Sequence, residues 1–97
     1  MPKTLVITGC SSGFGRQLAE RLAHDGHRVA ATMRDPGGKN AEAAHAFYEL
    51  ANTEALDLRV VDLDVTSTAS VDAAANAVTE AWGAPDVVIN NAGQMFG

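Results

Sequence analysis

The chain has little cysteine and few basic residues, and both shortages narrow the range of functions. Its single cysteine, Cys10, permits neither an internal disulfide nor a zinc site built from thiolates, and it fits a reducing cytosol. Seven basic residues against twelve acidic ones give a net charge of −5, which repels a nucleic acid backbone. The three histidines show no metal-ligand spacing with one another. We therefore expect no nucleic acid partner and no bound metal.

Long apolar segments are also missing. The first apolar run, residues 5–7, is too short for a signal peptide or a membrane span, and no cleavage-like site follows it. Apolar residues make up 46% of the 97 residues and charged residues 20%, which is typical of a globular domain and not of a disordered tail. We therefore expect one small cytoplasmic domain over residues 1–97 that contacts no membrane.

Four short apolar segments alternate with helical patterns. Strands are predicted at residues 5–7, 29–31, 58–63 and 87–89, and the unbroken apolar character of the first favours a strand buried on both faces. Helical spacing joins three further groups of residues, namely Phe14, Leu18 and Leu22, then Ala44, Phe47 and Ala51, then Val71, Ala74, Ala75, Val78 and Trp82. Thr66 or Ser67 is expected to cap the third helix, and Gly83 to end it. This alternation predicts an α/β fold of the Rossmann type, a doubly wound parallel sheet with strand order 3-2-1-4.

The turn after the first predicted strand is rich in glycine. Residues 8–15 read TGCSSGFG, and a helical pattern follows directly. In such a turn Gly9 lets the chain leave the strand sharply, Gly13 lets the backbone approach a pyrophosphate, and Gly15 lets the helix pack close to the sheet. Free amides at the helix start then attract an anion. A ligand-free turn is the alternative, whereas a nucleoside triphosphate loop is excluded because Phe14, not lysine, follows Gly13.

Two further motifs accompany this turn. Asp64-Val65 follows the third predicted strand, and Asn90-Asn91-Ala92-Gly93 follows the fourth. With the glycine turn, they make the whole chain resemble the cofactor-binding part of the short-chain dehydrogenase/reductase family. The resemblance implies a dinucleotide site formed by Gly9, Ser11, Ser12, Gly13, Phe14, Gly15, Arg34, Asp64, Val65, Asn91, Ala92 and Gly93.

The resemblance also implies a role for several of these residues. Asp64 would accept a hydrogen bond from the adenine amine, with backbone help from Val65; the alternative is a solvated acid at a strand end. Asn91 would contact the adenine-side ribose, and Gly93 would let the nicotinamide half approach the backbone. Ser11 and Ser12 would donate to phosphate, whereas Asn90 would tie neighbouring strands together.

The end of the second strand decides between NADP and NAD. An NAD site places an acid about 20 residues past the glycines, and the resemblance implies that this position falls on Met33. Arg34 follows it, where similar NADP-dependent members carry a basic residue able to clamp a 2′-phosphate. The sequence therefore predicts NADP, with NAD as the alternative, because a slip of one residue would bring the adjacent Asp35 near the ribose.

The catalytic residues that the resemblance implies are missing. Family members use a tyrosine with a lysine four residues later, but Tyr48 is followed by Asn52 at that spacing. We therefore expect the cofactor-binding half of an NADP-dependent oxidoreductase that acts on an alcohol or carbonyl compound, inactive alone and homo-oligomeric when complete. The stretches TGCSSG and ATMRD are similar to members acting on steroids, retinoids or other bulky alcohols. A non-catalytic regulatory module that binds NAD or NADP and a structural interaction protein are the alternatives. As a fragment, the chain should expose apolar surface at its fourth strand and either be poorly soluble or self-associate.

Overall fold

The computed structural model describes residues 2–91. Strands and helices alternate along the chain, beginning and ending with a strand. The elements are β1 Thr4–Ile7, α1 Gly13–His24, β2 Arg28–Met33, α2 Ala41–Glu54, β3 Leu58–Asp62, α3 Thr68–Trp82 and β4 Val87–Ile89. All seven predicted elements are present. The second strand begins one residue earlier and ends two residues later than expected, and Leu63 lies just beyond the third.

The four strands form one parallel sheet in the order β3-β2-β1-β4, which confirms the predicted fold class. In the centre of the sheet, Leu5 of β1 pairs with Val29 of β2 on one side and with Val87 of β4 on the other. The order reverses after β3, so the chain crosses the sheet to reach β4. Because parallel crossovers are right-handed, α1 and α2 cover one face and α3 covers the opposite face.

The main core lies between the sheet and the two helices on the first face. Alternate strand residues such as Leu5, Ile7 and Val29 lie in one buried cluster with Phe47 of α2, which is 1% exposed. The first strand, predicted to be buried on both faces, is buried at Leu5 and Ile7 on the side of this core, whereas Val6, on its other face, is partly buried.

The buried face of α1 matches the expected one only in part. Leu18 and Leu22 pack against the core and are partly buried, as predicted, but Phe14, predicted to start the apolar face, is 62% exposed. The residues that face the sheet are the small ones, Gly15, Ala19 and Ala23. Small side chains let the helix axis approach the strands closely, so side-chain size, and not apolar character alone, decides which face of α1 packs.

The ends of α3 follow the predicted chemistry, but less of the helix is buried. Ser67, one of the two predicted caps, accepts a hydrogen bond from the Ser70 N–H at 3.2 Å, and Gly83 ends the helix with φ of 86°. Of the predicted apolar face, only Ala74 and Val78 are buried, while Val71 is 41% exposed.

Apolar surface is exposed at β4, as expected. Val88 is 61% exposed, and β4 is the last strand of the sheet on its side among residues 2–91. The self-association expected from this surface stays a prediction. Over the same residues, no helix combines the length and the apolar character that a bilayer crossing requires.

Candidate functional site

The carboxyl ends of all four parallel strands lie at one edge of the sheet, and a crevice of about 650 Å³ opens there. Its position between β1 and the strands on either side is where doubly wound sheets bind ligands. The residues that line it are Gly9, Ser11, Ser12, Gly13, Phe14, Met33, Arg34, Lys39, Asn40, Leu63, Asp64, Val65, Thr66 and Asn91. The structure thus brings together nine of the twelve residues predicted for the site.

Three predicted residues do not line the crevice. Gly15 is buried behind it, in the first turn of α1. A Cβ atom at this position would lie 2.3 Å from the Gly9 carbonyl oxygen and 2.5 Å from the Asn91 side-chain nitrogen. Gly15 is therefore needed for the close approach of helix and loop, as its predicted packing role requires. Ala92 and Gly93 fall outside the described residues.

The first turn of α1 offers unpaired backbone N–H groups to the crevice. Ser12 occupies the N-cap position in an extended conformation, but its side chain makes no capping hydrogen bond, and the first turn contains no acidic residue. Gly13 begins the helix with φ of 63°, a left-handed conformation that glycine adopts without strain. Such a helix start, with its partial positive charge, is suited to binding an anion.

The asparagines after β4 hold the glycine turn in place. The Asn91 side-chain nitrogen donates to the Gly9 carbonyl at 3.2 Å, and the Thr8 hydroxyl donates to the Asn90 Oδ1 at 3.2 Å. Both contacts join residues 82 apart in the chain. Asn90 thus has the strand-tying position expected of it, and Asn91 has a structural contact that the sequence did not reveal.

Asp64 organises the turn between β3 and α3. Its Oδ1 accepts hydrogen bonds from the Thr66 hydroxyl at 2.6 Å and from the Thr66 N–H at 2.9 Å. These bonds hold the pKa of Asp64 below its ordinary value, and the charge of Arg34 acts in the same direction. Within residues 2–91 both bonds to the carboxylate use Oδ1, which leaves Oδ2 to accept a hydrogen from a ligand.

The loop after β2 separates Arg34 from its acidic neighbour. Met33 and Arg34 line the crevice, whereas Asp35 does not. The Asp35 Oδ2 instead accepts a hydrogen bond from the Lys39 N–H at 2.9 Å, within its own loop. Lys39 itself lines the crevice, and the sequence did not reveal it because no motif marks the loop DPGGKN in which it lies.

Cys10 lies within the glycine turn but does not line the crevice. Its side chain is fully buried and the thiol donates to the Ile7 carbonyl at 3.2 Å. Burial raises the pKa of Cys10 to about 12, so the thiolate is scarce at neutral pH. The residue therefore fills space beneath the turn, and its buried, protonated thiol is poorly suited to act as a nucleophile.

The only tyrosine of the chain lies away from the crevice. Tyr48, in α2, is 55% exposed and borders a separate depression of about 410 Å³ next to Trp82 and the edge strand β3. Between residues 2 and 91, no three histidine, cysteine or acidic side chains gather as metal ligands would.

Comparison with known proteins agrees with this arrangement. The family model described as short chain dehydrogenase matches residues 3–96. The chain belongs to this family. Human retinol dehydrogenase 8 is 45% identical over 95 residues, and mouse 17-beta-hydroxysteroid dehydrogenase type 1 is 42% identical over 103 residues. The alignments include 95% and 99% of this chain but only 28% of each relative, so the chain spans less than a third of their length.

Solved structures of short-chain dehydrogenases share the fold. Actinorhodin polyketide ketoreductase with NADPH is 29% identical, with a TM-score of 0.78 over 93% of this chain and 33% of that one. L-Sorbose reductase from Gluconobacter frateurii, complexed with NADPH and L-sorbose, is 31% identical, with the same TM-score and the same coverage. The short-chain dehydrogenase family and the Rossmann-type fold, both predicted from the sequence, are thereby confirmed.

Proposed function

We propose that the crevice binds NADP(H) and that this chain is the cofactor-binding part of a carbonyl or alcohol oxidoreductase. The observation that carries the proposal is the first turn of α1, where uncapped N–H groups lie beside a glycine turn and are ready for a diphosphate. Gly9 and Gly13 would admit the diphosphate, with donors from Ser11 and Ser12. Family relatives with NADPH bound, such as L-sorbose reductase, support this placement.

The other half of the dinucleotide fits the same edge of the sheet. The free Oδ2 of Asp64 would accept a hydrogen bond from the adenine amine, beside the backbone of Val65. Phe14, exposed at the rim, would cover one side of the ligand, and Asn91 would approach the ribose. Ala92 and Gly93 are proposed from the resemblance alone to approach the nicotinamide half.

We propose NADP over NAD because the acid that NAD requires is absent from the crevice. Met33 occupies the position of that acid, and Arg34 follows it on the crevice wall. Asp35, the acid that favoured the NAD alternative, directs its Oδ2 to the Lys39 N–H instead. A guanidinium at Arg34 would pair with a 2′-phosphate through two parallel hydrogen bonds.

The reaction is proposed from the family. When bound, the nicotinamide would supply or accept a hydride at an alcohol or carbonyl carbon. Retinol dehydrogenase 8 and 17-beta-hydroxysteroid dehydrogenase type 1 are named for bulky apolar alcohols, so we propose a substrate of that size and polarity for the whole protein. We expect this chain alone to bind the dinucleotide without reducing substrate, since Tyr48 lies outside the crevice. The homo-oligomeric state stays a prediction.

Replacement of Arg34 tests the proposal. NADPH and NADH affinities would be measured for the wild-type chain and for Arg34→Ala, with Arg59→Ala, an arginine of β3 outside the crevice, as the control. Loss of a charge-assisted hydrogen bond, about 1.5–3 kcal/mol before screening by solvent, predicts a roughly ten- to hundredfold weaker NADPH affinity and little change for NADH. Equal weakening of both dinucleotides, or no binding of either, would overturn the assignment.

A further inference from the structure

The loop of residues 34–40, between β2 and α2, is closed by its own hydrogen bonds. Asp35 has a left-handed backbone, with φ of 48°, and its carbonyl accepts from the Gly38 N–H at 3.2 Å and from the Asn40 N–H at 3.0 Å. Its Oδ2 accepts from the Lys39 N–H at 2.9 Å, and the Asn40 side-chain nitrogen donates to the Arg34 carbonyl. The loop is therefore an ordered turn in which Asp35 accepts most of these hydrogen bonds.

This turn places two cations on one wall of the crevice. Arg34 and Lys39 stand on either side of the Asp35 turn, and both line the crevice while Asp35 does not. Among the described residues, the Lys39 ammonium forms no ion pair and its side chain makes no hydrogen bond. Lys39 is thus positioned at the crevice with its charge available.

The charge of the crevice contrasts with that of the chain. Arg34 and Lys39 are the two cations that line it and Asp64 is its one acid within residues 2–91, whereas the chain as a whole carries −5. Asp64 lies after β3, and both cations lie after β2. The positive charge is therefore concentrated on the β2 side of the crevice.

We infer that Lys39 is a second specificity residue for the 2′-phosphate, acting with Arg34, and that Asp35 is a positioning residue for both. The inference rests on the proposed binding of NADP(H). A phosphomonoester carries close to two negative charges and three acceptor oxygens. One guanidinium satisfies two of these oxygens, and an ammonium on a flexible stem can reach the third. NADH lacks this phosphate and gains nothing from Lys39.

Substitution of Lys39 tests the inference by binding alone. We expect Lys39→Gln to weaken NADPH affinity about three- to tenfold and to leave NADH affinity unchanged. The loss is smaller than that expected for a buried charge-assisted hydrogen bond because the site is open to solvent. Lys39→Arg should restore most of the NADPH affinity. Lys3→Gln, which removes an exposed lysine next to β1 and outside the crevice, is the control.

The outcomes separate this inference from the proposed function. An unchanged NADPH affinity in Lys39→Gln, with a weakened one in Arg34→Ala, would overturn the role of Lys39 and leave the NADP assignment standing. Equal weakening of NADPH and NADH would also overturn it, because Lys39 would then act on a group that both dinucleotides share. Failure of the wild-type chain to bind either dinucleotide would overturn both proposals.

A pair of glycine substitutions tests the positioning role of Asp35. A Cβ at Gly38 would lie 2.7 Å and 2.9 Å from the two Asp35 carboxylate oxygens, whereas one at Gly37 would meet no atom within 4 Å. Gly38→Ala should therefore displace the carboxylate and lower the NADPH-to-NADH affinity ratio severalfold, while Gly37→Ala leaves the ratio unchanged. A ratio that is the same in both variants would show that Asp35 does not position the two cations.

Discussion

Replacing Gly15 by alanine perturbs the point where α1, the glycine turn and Asn91 meet. The added Cβ would lie 2.3 Å from the Gly9 carbonyl oxygen and 2.5 Å from the Asn91 side-chain nitrogen. Ordinary carbon contacts begin near ~3.5 Å, so the helix or the turn must move by about 1 Å. Overpacking of this kind costs about 1–3 kcal/mol, and the better helix propensity of alanine offsets at most ~1 kcal/mol of that.

Thermal unfolding followed by circular dichroism measures this cost. For a domain of this size, each 1 kcal/mol corresponds to about 4–8 °C in melting temperature. Gly37→Ala is the matched control, because its Cβ meets no atom within 4 Å and it is expected to change stability by less than about 0.5 kcal/mol. The displaced turn should also weaken NADPH binding. A Gly15→Ala variant as stable as Gly37→Ala, with wild-type NADPH affinity, would refute the reasoning.

Two further predictions concern ionisable groups. Because burial raises the pKa of Cys10 to about 12, iodoacetamide at pH 8 should label the thiol only in the unfolded chain. The free energy of unfolding that this pKa difference contributes should be fully present below pH ~8.5 and should decline as pH rises towards the pKa of Cys10 in the folded state. Rapid labelling of the folded protein would contradict the burial of the thiol. Thr66→Val removes the hydroxyl that lowers the pKa of Asp64, so the pKa measured by NMR should rise. The contribution of Asp64 to stability is present above pH ~3.9 and is lost as pH falls through the folded pKa; an unchanged pKa in the variant would exclude the Thr66 bond as its cause.

The sheet could be predicted from the sequence because its signals are local. Short unbroken apolar runs such as residues 87–89, each separated by a helical pattern, leave few topologies other than a parallel doubly wound sheet. The buried face of α1 could not be predicted in the same way. Periodicity found Leu18 and Leu22, which pack against the core, but it also favoured Phe14, which is exposed. The fully buried positions are the small residues Gly15, Ala19 and Ala23, which periodicity of large apolar residues does not mark.

The residues of the candidate site that belong to a motif at a strand end could be predicted from the sequence. The contacts and residues that depend on tertiary structure could not. The glycine turn and Asp64 follow strand ends, so their meeting at one edge of the sheet follows from the topology. The bond between Asn91 and Gly9 joins residues 82 apart, and no local pattern encodes it. Lys39 lies in a loop without a motif, and its place at the crevice and its backbone bond to Asp35 become visible only in the folded chain.

A nitrogen–proton NMR titration with NADPH tests the central claim most directly, since it reports both binding and position. Binding of NADPH in the crevice predicts saturable shifts of the amide signals of residues 9–15, with further shifts at Arg34, Lys39 and Asp64, and weaker binding of NADH. Saturable shifts confined to the depression beside Tyr48 and Trp82, or no shifts at millimolar NADPH, would contradict it.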